Sequence, residues 1–176
     1  FLASTQTADQ AIANARTAGK ALAALAKRVV DAGAQHVVVV GAIQLGFTPW
    51  GAALPQAATL TEISRNVNDA FLIDSVDLKL GAKVLYLDAP FYFRSAVDDP
   101  RQFAISNARD VVCTSVDPNV GIGIGAGEVS SALCTPSTIV SGAAYDSYMF
   151  ADKLYTTPTL QRQFGDYAYG RITNRW

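Results

Sequence analysis

Apolar residues recur at helical spacing along the first segment of the chain. Between residues 7 and 32, Ala, Leu, Ile and Val fall three or four positions apart, with Asp9 early and Lys27 and Arg28 late, as the helix dipole favours. Gly33 follows, and glycine commonly ends a helix. The pattern predicts one long amphipathic helix.

The pattern then changes to runs that are typical of strands. Val37 to Val40 are consecutive β-branched residues, and this unbroken hydrophobicity predicts a strand that is covered on both faces. Residues 41–55 are interpreted as a long loop. A second short apolar run, residues 83–87, predicts another strand, and a turn begins at Asp88.

Three further helices follow from the same periodicity. The first begins near residue 59 or 61, with Thr61 as a possible cap, and continues until Gly81. A short helix is expected at the aromatic segment 91–93. The last helix begins at Pro158, because proline is favoured in the first turn, and runs to about Ile172.

The order helix, strand, helix, strand, helix predicts an α/β fold, because parallel strands need crossover helices between them. We expect a partial three-layer sandwich of parallel strands with flanking helices. Residues 101–145 are dominated by loops, so only two strands are convincing, and a sheet of two strands exposes two hydrogen-bonding edges. The remaining strands come from weakly patterned segments, from a longer parent chain, or from another copy that covers the edge.

The composition indicates a globular protein and excludes several classes of function. The 176 residues suit one domain, and half of them are apolar while 16% are charged. A net charge of -1 gives no basic stripe for nucleic acid. The longest apolar run is far shorter than the roughly 20 residues of a membrane span. One histidine and two distant cysteines cannot build a zinc site, so no metal or cofactor is expected.

Two sequence features lie in the segment that is rich in loops. Cys113 and Cys134 flank a stretch rich in Gly and Ser, where a disulfide would contribute roughly 3 kcal/mol, although two buried free thiols are the alternative. Within it, Gly121, Gly123, Gly125 and Gly127 alternate without the spacing of a phosphate-binding loop. We interpret these glycines as a loop or as an edge strand.

Several segments together resemble the C-terminal half of the SGNH or GDSL-type serine esterases and lipases. The strand 37–40 with its Leu-Gly-Phe-Thr-Pro continuation is similar to a strand and turn of that family, and the most specific likeness is to its Asp-x-x-His block. The similar segments are 37–49, 80–88, 107–113, 134–136, 148–158 and 164–168. The resemblance implies a flavodoxin-like fold over residues 1–176, with a disulfide-closed loop region at 107–145.

The resemblance also assigns site residues. It places Asp152 at the position of the catalytic acid and Tyr155 at the position of the histidine. A tyrosine is protonated at neutral pH and cannot act as the resting base, so we expect a structural hydrogen bond from its phenol to Asp152. His36 matches no catalytic position and is interpreted as structural. The serine block and the oxyanion glycine are not found, and residues 66–69 are interpreted as helix surface.

The predicted function is that of an exported SGNH-hydrolase-like protein, extracellular or periplasmic, that is non-catalytic by itself. Its expected partners are the missing N-terminal half or other copies, and its possible substrate is an ester or lipid. The alternative is a structural protein that self-assembles through open sheet edges and an aromatic surface. Aromatic residues that could line a groove, or belong to the core, are Phe91, Tyr92, Phe93, Tyr145, Tyr148, Phe150 and Tyr155.

Overall fold

Helices and short strands alternate in the computed structural model, which describes Leu2 and residues 5–176. The helices are α1 (Ala8–Asp31), α2 (Pro49–Ala52), α3 (Ala57–Asp77), α4 (Ala89–Asp98) and α5 (Pro158–Thr173). The strands are β1 (Val37–Val40), β2 (Val84–Leu87), β3 (Asn107–Val111), β4 (Val116–Asp117), β5 (Glu128–Val129) and β6 (Tyr148–Phe150). The α/β class is confirmed.

The strands form three pairs within the described residues. β1 and β2 pair in parallel, with Val39 opposite Tyr86, as predicted. β3 pairs in parallel with β6, and β4 pairs with β5 in an antiparallel arrangement. β3, β4 and β5 lie in the segment 101–145 that was predicted as loops, so the weakly patterned segments do supply strands.

The prediction that β1 is covered on both faces is wrong. Val39 packs with Tyr86 beneath α1 and α3. On the opposite face Val38 and Val40 are 39% and 51% exposed, whereas Leu85 and Leu87 of β2 are buried on that side. The outer face of the sheet is therefore covered over β2 and open over β1.

Helices α1 and α3 cross at close range on the inner face. α1 begins with a capping box in which the Thr7 hydroxyl accepts a hydrogen bond from the Gln10 backbone N–H. Where the helices cross, a Cβ atom on Gly19 would overlap the carbonyl oxygen of Val67. Glycine at this position permits the close packing of the two backbones.

The bounds of α3 differ from the prediction at both ends. The helix starts at Ala57, so Thr61 lies inside it and donates its hydroxyl to the Ala57 carbonyl instead of capping the helix. It ends at Asp77, before Gly81, and Lys79 adopts a left-handed backbone with a φ of 56°. The segment 41–55 is also more ordered than predicted, since it holds α2.

The second half of the chain has its own core. Buried residues of α4, β3, β6 and α5 form it, and Tyr92 lies in an aromatic cluster. The buried members are Ala96, Ile105, Ala108, Met149, Phe150 and Leu160, and the rings in contact with Tyr92 are Phe93, Phe103, Phe164 and Tyr167. Among the aromatic residues predicted as groove or core, Phe150 is buried, while Phe91 and Tyr155 are exposed.

The predicted disulfide is present. Cys113 and Cys134 are joined, with their Cα atoms 5.7 Å apart. The enclosed segment contains the β4–β5 hairpin, whose connection includes the four alternating glycines. These glycines have positive φ angles, for example 135° at Gly125, which identifies the segment as a turn-rich loop.

Candidate functional site

The loops that follow the parallel strands meet at one end of the molecule. The loop after β6 is joined to the segment after β1 by a hydrogen bond of 3.1 Å from the Trp50 backbone N–H, at the start of α2, to the Lys153 carbonyl. Asp88 follows β2 at the same end of that sheet, and its side chain caps α4 by accepting from the Phe91 N–H. In α/β proteins this carboxyl end is where binding sites form.

Polar side chains of α3 hold the loop after β1. The Asn68 side chain accepts from the Ala42 N–H and donates to the Ala42 carbonyl, both at 2.8 Å. One turn earlier, the Ser64 hydroxyl accepts from the Leu45 N–H at 3.2 Å. Ser64, Asn66 and Asn68 are all buried, so the interpretation of residues 66–69 as helix surface is wrong for the two asparagines, whereas Asp69 is exposed.

Asp152 is completely buried at the end of β6. One oxygen of its carboxylate accepts from the backbone N–H groups of Leu154 and Tyr155 at 2.8 and 2.7 Å. The other oxygen accepts from the Ser131 N–H at 2.8 Å. These three charge-assisted hydrogen bonds compensate the loss of water around the carboxylate and fix the loop that follows the strand.

The expected hydrogen bond from the Tyr155 phenol to Asp152 does not form. Tyr155 reaches the carboxylate through its backbone N–H, while its side chain is 53% exposed. The Asp152 carboxylate accepts from the residues two and three positions later and so forms a tight turn. This turn directs the Tyr155 phenol outward.

The Asp152 loop also holds the disulfide-closed segment. Ser131, which donates to Asp152, lies between the two bonded cysteines, and the Cys113 N–H donates to the Ala151 carbonyl at 3.0 Å. The Lys153 ammonium lies 2.6 Å from the Glu128 carboxylate in the glycine hairpin. Asp152 and its two neighbours in the chain therefore connect the loop after β6 to the disulfide-closed segment at three points.

The single histidine of the sequence lies at the other end of β1. His36 precedes this strand, whereas the loop that reaches Lys153 follows it. The His36 ring stacks on Trp176, with centroids 4.3 Å apart and planes 12° from parallel. The imidazole is thus part of an aromatic contact at the amino end of the strand.

A small cavity lies behind these loops. Its volume of about 20 Å³ matches one water molecule, and it is lined mainly by apolar side chains such as Phe47, Phe93 and Met149. Two larger depressions border the same segments, one of about 250 Å³ beside Asn68 and Asp88 and one of about 540 Å³ beside Ser131. Within the part of the chain that the structure describes, no group of three or more His, Cys, Asp or Glu side chains is placed to hold a metal ion.

Tyr86 lies beneath the loop after β1. Its hydroxyl occupies the space that a Cβ atom on Gly41 would need, so glycine is required there. Burial raises the pKa of the Tyr86 phenol, and the nearby carboxylates of Asp88 and Asp69 raise it further. The group remains a neutral phenol over the ordinary pH range.

Sequence reasoning missed Ser64 and Asn68, the two residues that position the loop after β1. They stand four residues apart, so they share one helix face, and Asn66 between them is also buried and accepts a hydrogen bond from Arg16 of α1. Buried polar residues at this spacing are a signal that a helix binds the backbone of another segment.

Comparison with known proteins finds a distant relative. No protein-family model matches the sequence. The chain is similar to an uncharacterized protein in the trpE-trpG intergenic region of Pseudomonas putida, with 28% identity over 166 residues. The match covers 93% of this chain and 26% of the relative, so the chain spans about a quarter of that protein's length.

No helix among Leu2 and residues 5–176 combines the length and the hydrophobicity that crossing a membrane requires.

Proposed function

We propose that this chain is a non-catalytic module of an exported SGNH-hydrolase-like protein and corresponds to the C-terminal half of that flavodoxin-like fold. The resemblance of residues 148–158 to the Asp-x-x-His block supports this proposal. So does the place of Asp152, which follows a parallel strand at the end where α/β proteins carry their sites. The whole protein's target would be a carboxylic ester or lipid.

The position of the one histidine is the observation that carries the non-catalytic part of the proposal. A serine hydroxyl becomes a nucleophile only when a neighbouring base accepts its proton. His36 stacks on Trp176 at the amino end of β1, away from Asp152. Asp152 is buried, and its carboxylate accepts three backbone hydrogen bonds. It therefore fixes a loop instead of orienting a base.

Export is supported by the disulfide. Bonds such as Cys113–Cys134 persist in oxidising compartments and are rare in the cytosol. The bond closes a segment that contains few buried apolar residues, and this segment depends on it and on Asp152 for its position.

Ester hydrolysis tests the proposal directly. The purified chain and its Tyr155→His variant should both hydrolyse p-nitrophenyl butyrate at the rate of a buffer blank, and neither should react with a fluorophosphonate probe for activated serines. Turnover above the blank that the same probe abolishes would contradict the non-catalytic assignment.

The hydrolase ancestry is tested on the full-length polypeptide that the gene encodes. The proposal requires a Gly-Asp-Ser-Leu block in that polypeptide, and the gene sequence checks this. Because backbone N–H groups occupy both oxygens of Asp152, Tyr155→His and its matched control Tyr155→Phe should both leave the rate of ester hydrolysis unchanged. Absence of a serine block would contradict the ancestry, and a rate that Tyr155→His alone raises would contradict the structural role of Asp152.

Self-assembly is the competing function, and the open face of β1 favours it. Val38 and Val40 are exposed, and among the residues that the structure describes their strand pairs on one side only. Sedimentation velocity over a hundredfold range of concentration distinguishes the two functions, because an assembling protein shifts to larger species and a module of a longer chain does not.

A further inference from the structure

The depression of about 250 Å³ beside Asn68 and Asp88 lies at the carboxyl ends of β1 and β2. Residues of the loop after β1, of α3 and of the first turn of α4 line it, and Asp69 of α3 and Asp88 after β2 are both among them. Small ligands of α/β proteins commonly bind outside the carboxyl ends of parallel strands. This depression is termed the Asp69/Asp88 pocket.

The two guanidinium groups that line the Asp69/Asp88 pocket already form ion pairs within their own helices. Arg65 lies 2.5 Å from the carboxylate of a glutamate three residues earlier, and Arg94 lies 2.6 Å from the carboxylate of an aspartate four residues later. Among the residues that the structure describes, no cation pairs with Asp69 or Asp88. The charges that lack a partner in this pocket are therefore negative.

Several polar atoms of the pocket lining also lack a hydrogen-bond partner within Leu2 and residues 5–176. The Oε1 atom of Gln44 and the hydroxyl of Tyr86 are shielded from solvent and have no partner there. The Asp69 carboxylate accepts no hydrogen bond, and Asp88 uses its Oδ1 atom to cap α4. Because a buried acceptor without a donor costs free energy, a ligand that brings N–H donors is favoured here.

Apolar side chains complete the lining and indicate an organic ligand. Leu72 and Pro90 line the pocket, and the Phe91 ring beside them is 69% exposed. Aromatic faces attract cations as well as apolar groups. A divalent metal ion needs several converging oxygen ligands, and the described part of the chain places no third acidic side chain with Asp69 and Asp88 to hold one.

We propose that the Asp69/Asp88 pocket binds a small organic amine, with its ammonium group toward the two carboxylates and its carbon skeleton against Phe91. An anionic ligand fits less well, because it would have to draw the two arginines away from their carboxylate partners. The Tyr86 phenol stays neutral over the ordinary pH range, so it acts as a hydrogen-bond partner and adds no charge. The proposal goes beyond the hydrolase ancestry and does not rest on it.

Titration of the purified chain with benzylamine, followed by NMR of the backbone amides, tests the proposal. At about pH 7 this probe is an ammonium ion with an aromatic body. We expect saturable shifts of the amides of Ala42, Asp88 and Phe91, with a Kd of about 1–10 mM that rises with salt. Benzyl alcohol has nearly the same shape without the charge, and it should bind at least about fivefold more weakly.

One pair of variants separates the pocket from the general charge of α3. Asp69→Asn preserves the shape of an exposed side chain and removes its charge, so the Kd for benzylamine should rise about fivefold. Asp77→Asn is the matched control, because Asp77 is exposed at the end of the same helix and does not line the pocket. Its Kd should stay within about twofold of that of the unmodified protein.

Four outcomes would overturn the proposal. One is the absence of saturable shifts up to about 50 mM benzylamine, and another is equal binding of benzyl alcohol, which would show an apolar site without charge selectivity. Tighter binding of benzoate than of benzylamine would assign the pocket to anions through its arginines. Equal effects of Asp69→Asn and Asp77→Asn would show that the amine responds only to the overall charge of the protein.

Discussion

The side chain of Asn68 hydrogen-bonds to both the N–H and the carbonyl of Ala42, and so fixes the loop after β1 to α3. Asn68 is buried, and Asn68→Ala leaves two backbone groups without their partner. We expect the free energy of unfolding to fall by about 1–2 kcal/mol, measured by urea denaturation.

Asn14→Ala is the control for Asn68→Ala, because Asn14 is exposed on α1 and alanine favours helices. Its free energy of unfolding should change by no more than about 0.5 kcal/mol. Equal losses for the two variants would show that the bonds to Ala42 do not stabilise the fold.

Gly19 sets the distance between α1 and α3. In Gly19→Ala the new methyl group overlaps the carbonyl of Val67, so the helices must move apart, and we expect a loss of about 2–3 kcal/mol. Gly165→Ala in α5 is the control, since no atom lies within 4 Å of its added Cβ. Thermal unfolding should show the control gaining about 0.5–1 kcal/mol from helix propensity. Destabilisation of both variants to the same degree would contradict the packing argument.

Asp152 and Tyr155 should differ sharply in their effect on stability. In Asp152→Asn one acceptor oxygen becomes an NH₂ group that faces backbone N–H donors, so we expect a loss of about 2–3 kcal/mol. Tyr155→Phe should change the free energy of unfolding by less than about 0.5 kcal/mol, because the phenol is exposed. Denaturant titration of both variants checks this pair. A larger loss of unfolding free energy in Tyr155→Phe would instead support the hydrogen bond from the Tyr155 phenol to Asp152 that was predicted from the sequence.

Tyr86 should contribute to alkaline unfolding. Burial, with Asp88 and Asp69, raises its pKa in the folded protein, whereas in the unfolded chain a tyrosine ionises near pH 10. Above about pH 10 the unfolded state loses this proton first, so stability falls as pH rises, by at most about 1.4 kcal/mol per pH unit for one group. Below that pH the group has no effect on the pH dependence.

The Tyr86→Phe variant removes the titrating group and should therefore show a shallower decrease of stability between pH 10 and 12. Tyr169→Phe is the control, because Tyr169 is exposed and its substitution should leave the slope unchanged. Unfolding free energies measured across that range compare the two variants. Identical slopes in Tyr86→Phe and the unmodified protein would refute the assignment.

The amino-acid sequence by itself determined the elements that depend on neighbouring residues. The apolar spacing of α1, the valine run of β1 and the proline that opens α5 each act within one segment, and the structure places all three close to their predicted bounds. The parallel pairing of β1 with β2 follows from the helix between them. The segment that the two cysteines enclose favoured a disulfide over two free thiols, as did the family resemblance, and the structure confirms the bond.

Only the tertiary structure decided which faces and partners those elements have. β3 contains Asn107, Arg109 and Asp110, so it lacks an apolar pattern and becomes a strand only because it pairs with β6, about forty residues later. Val38 and Val40 are exposed because the described residues place no element over β1 on that side, which no local pattern encodes. Asp152 is bound by the backbone of its own turn and of Ser131, a contact that exists only after the disulfide-closed segment has folded onto β6.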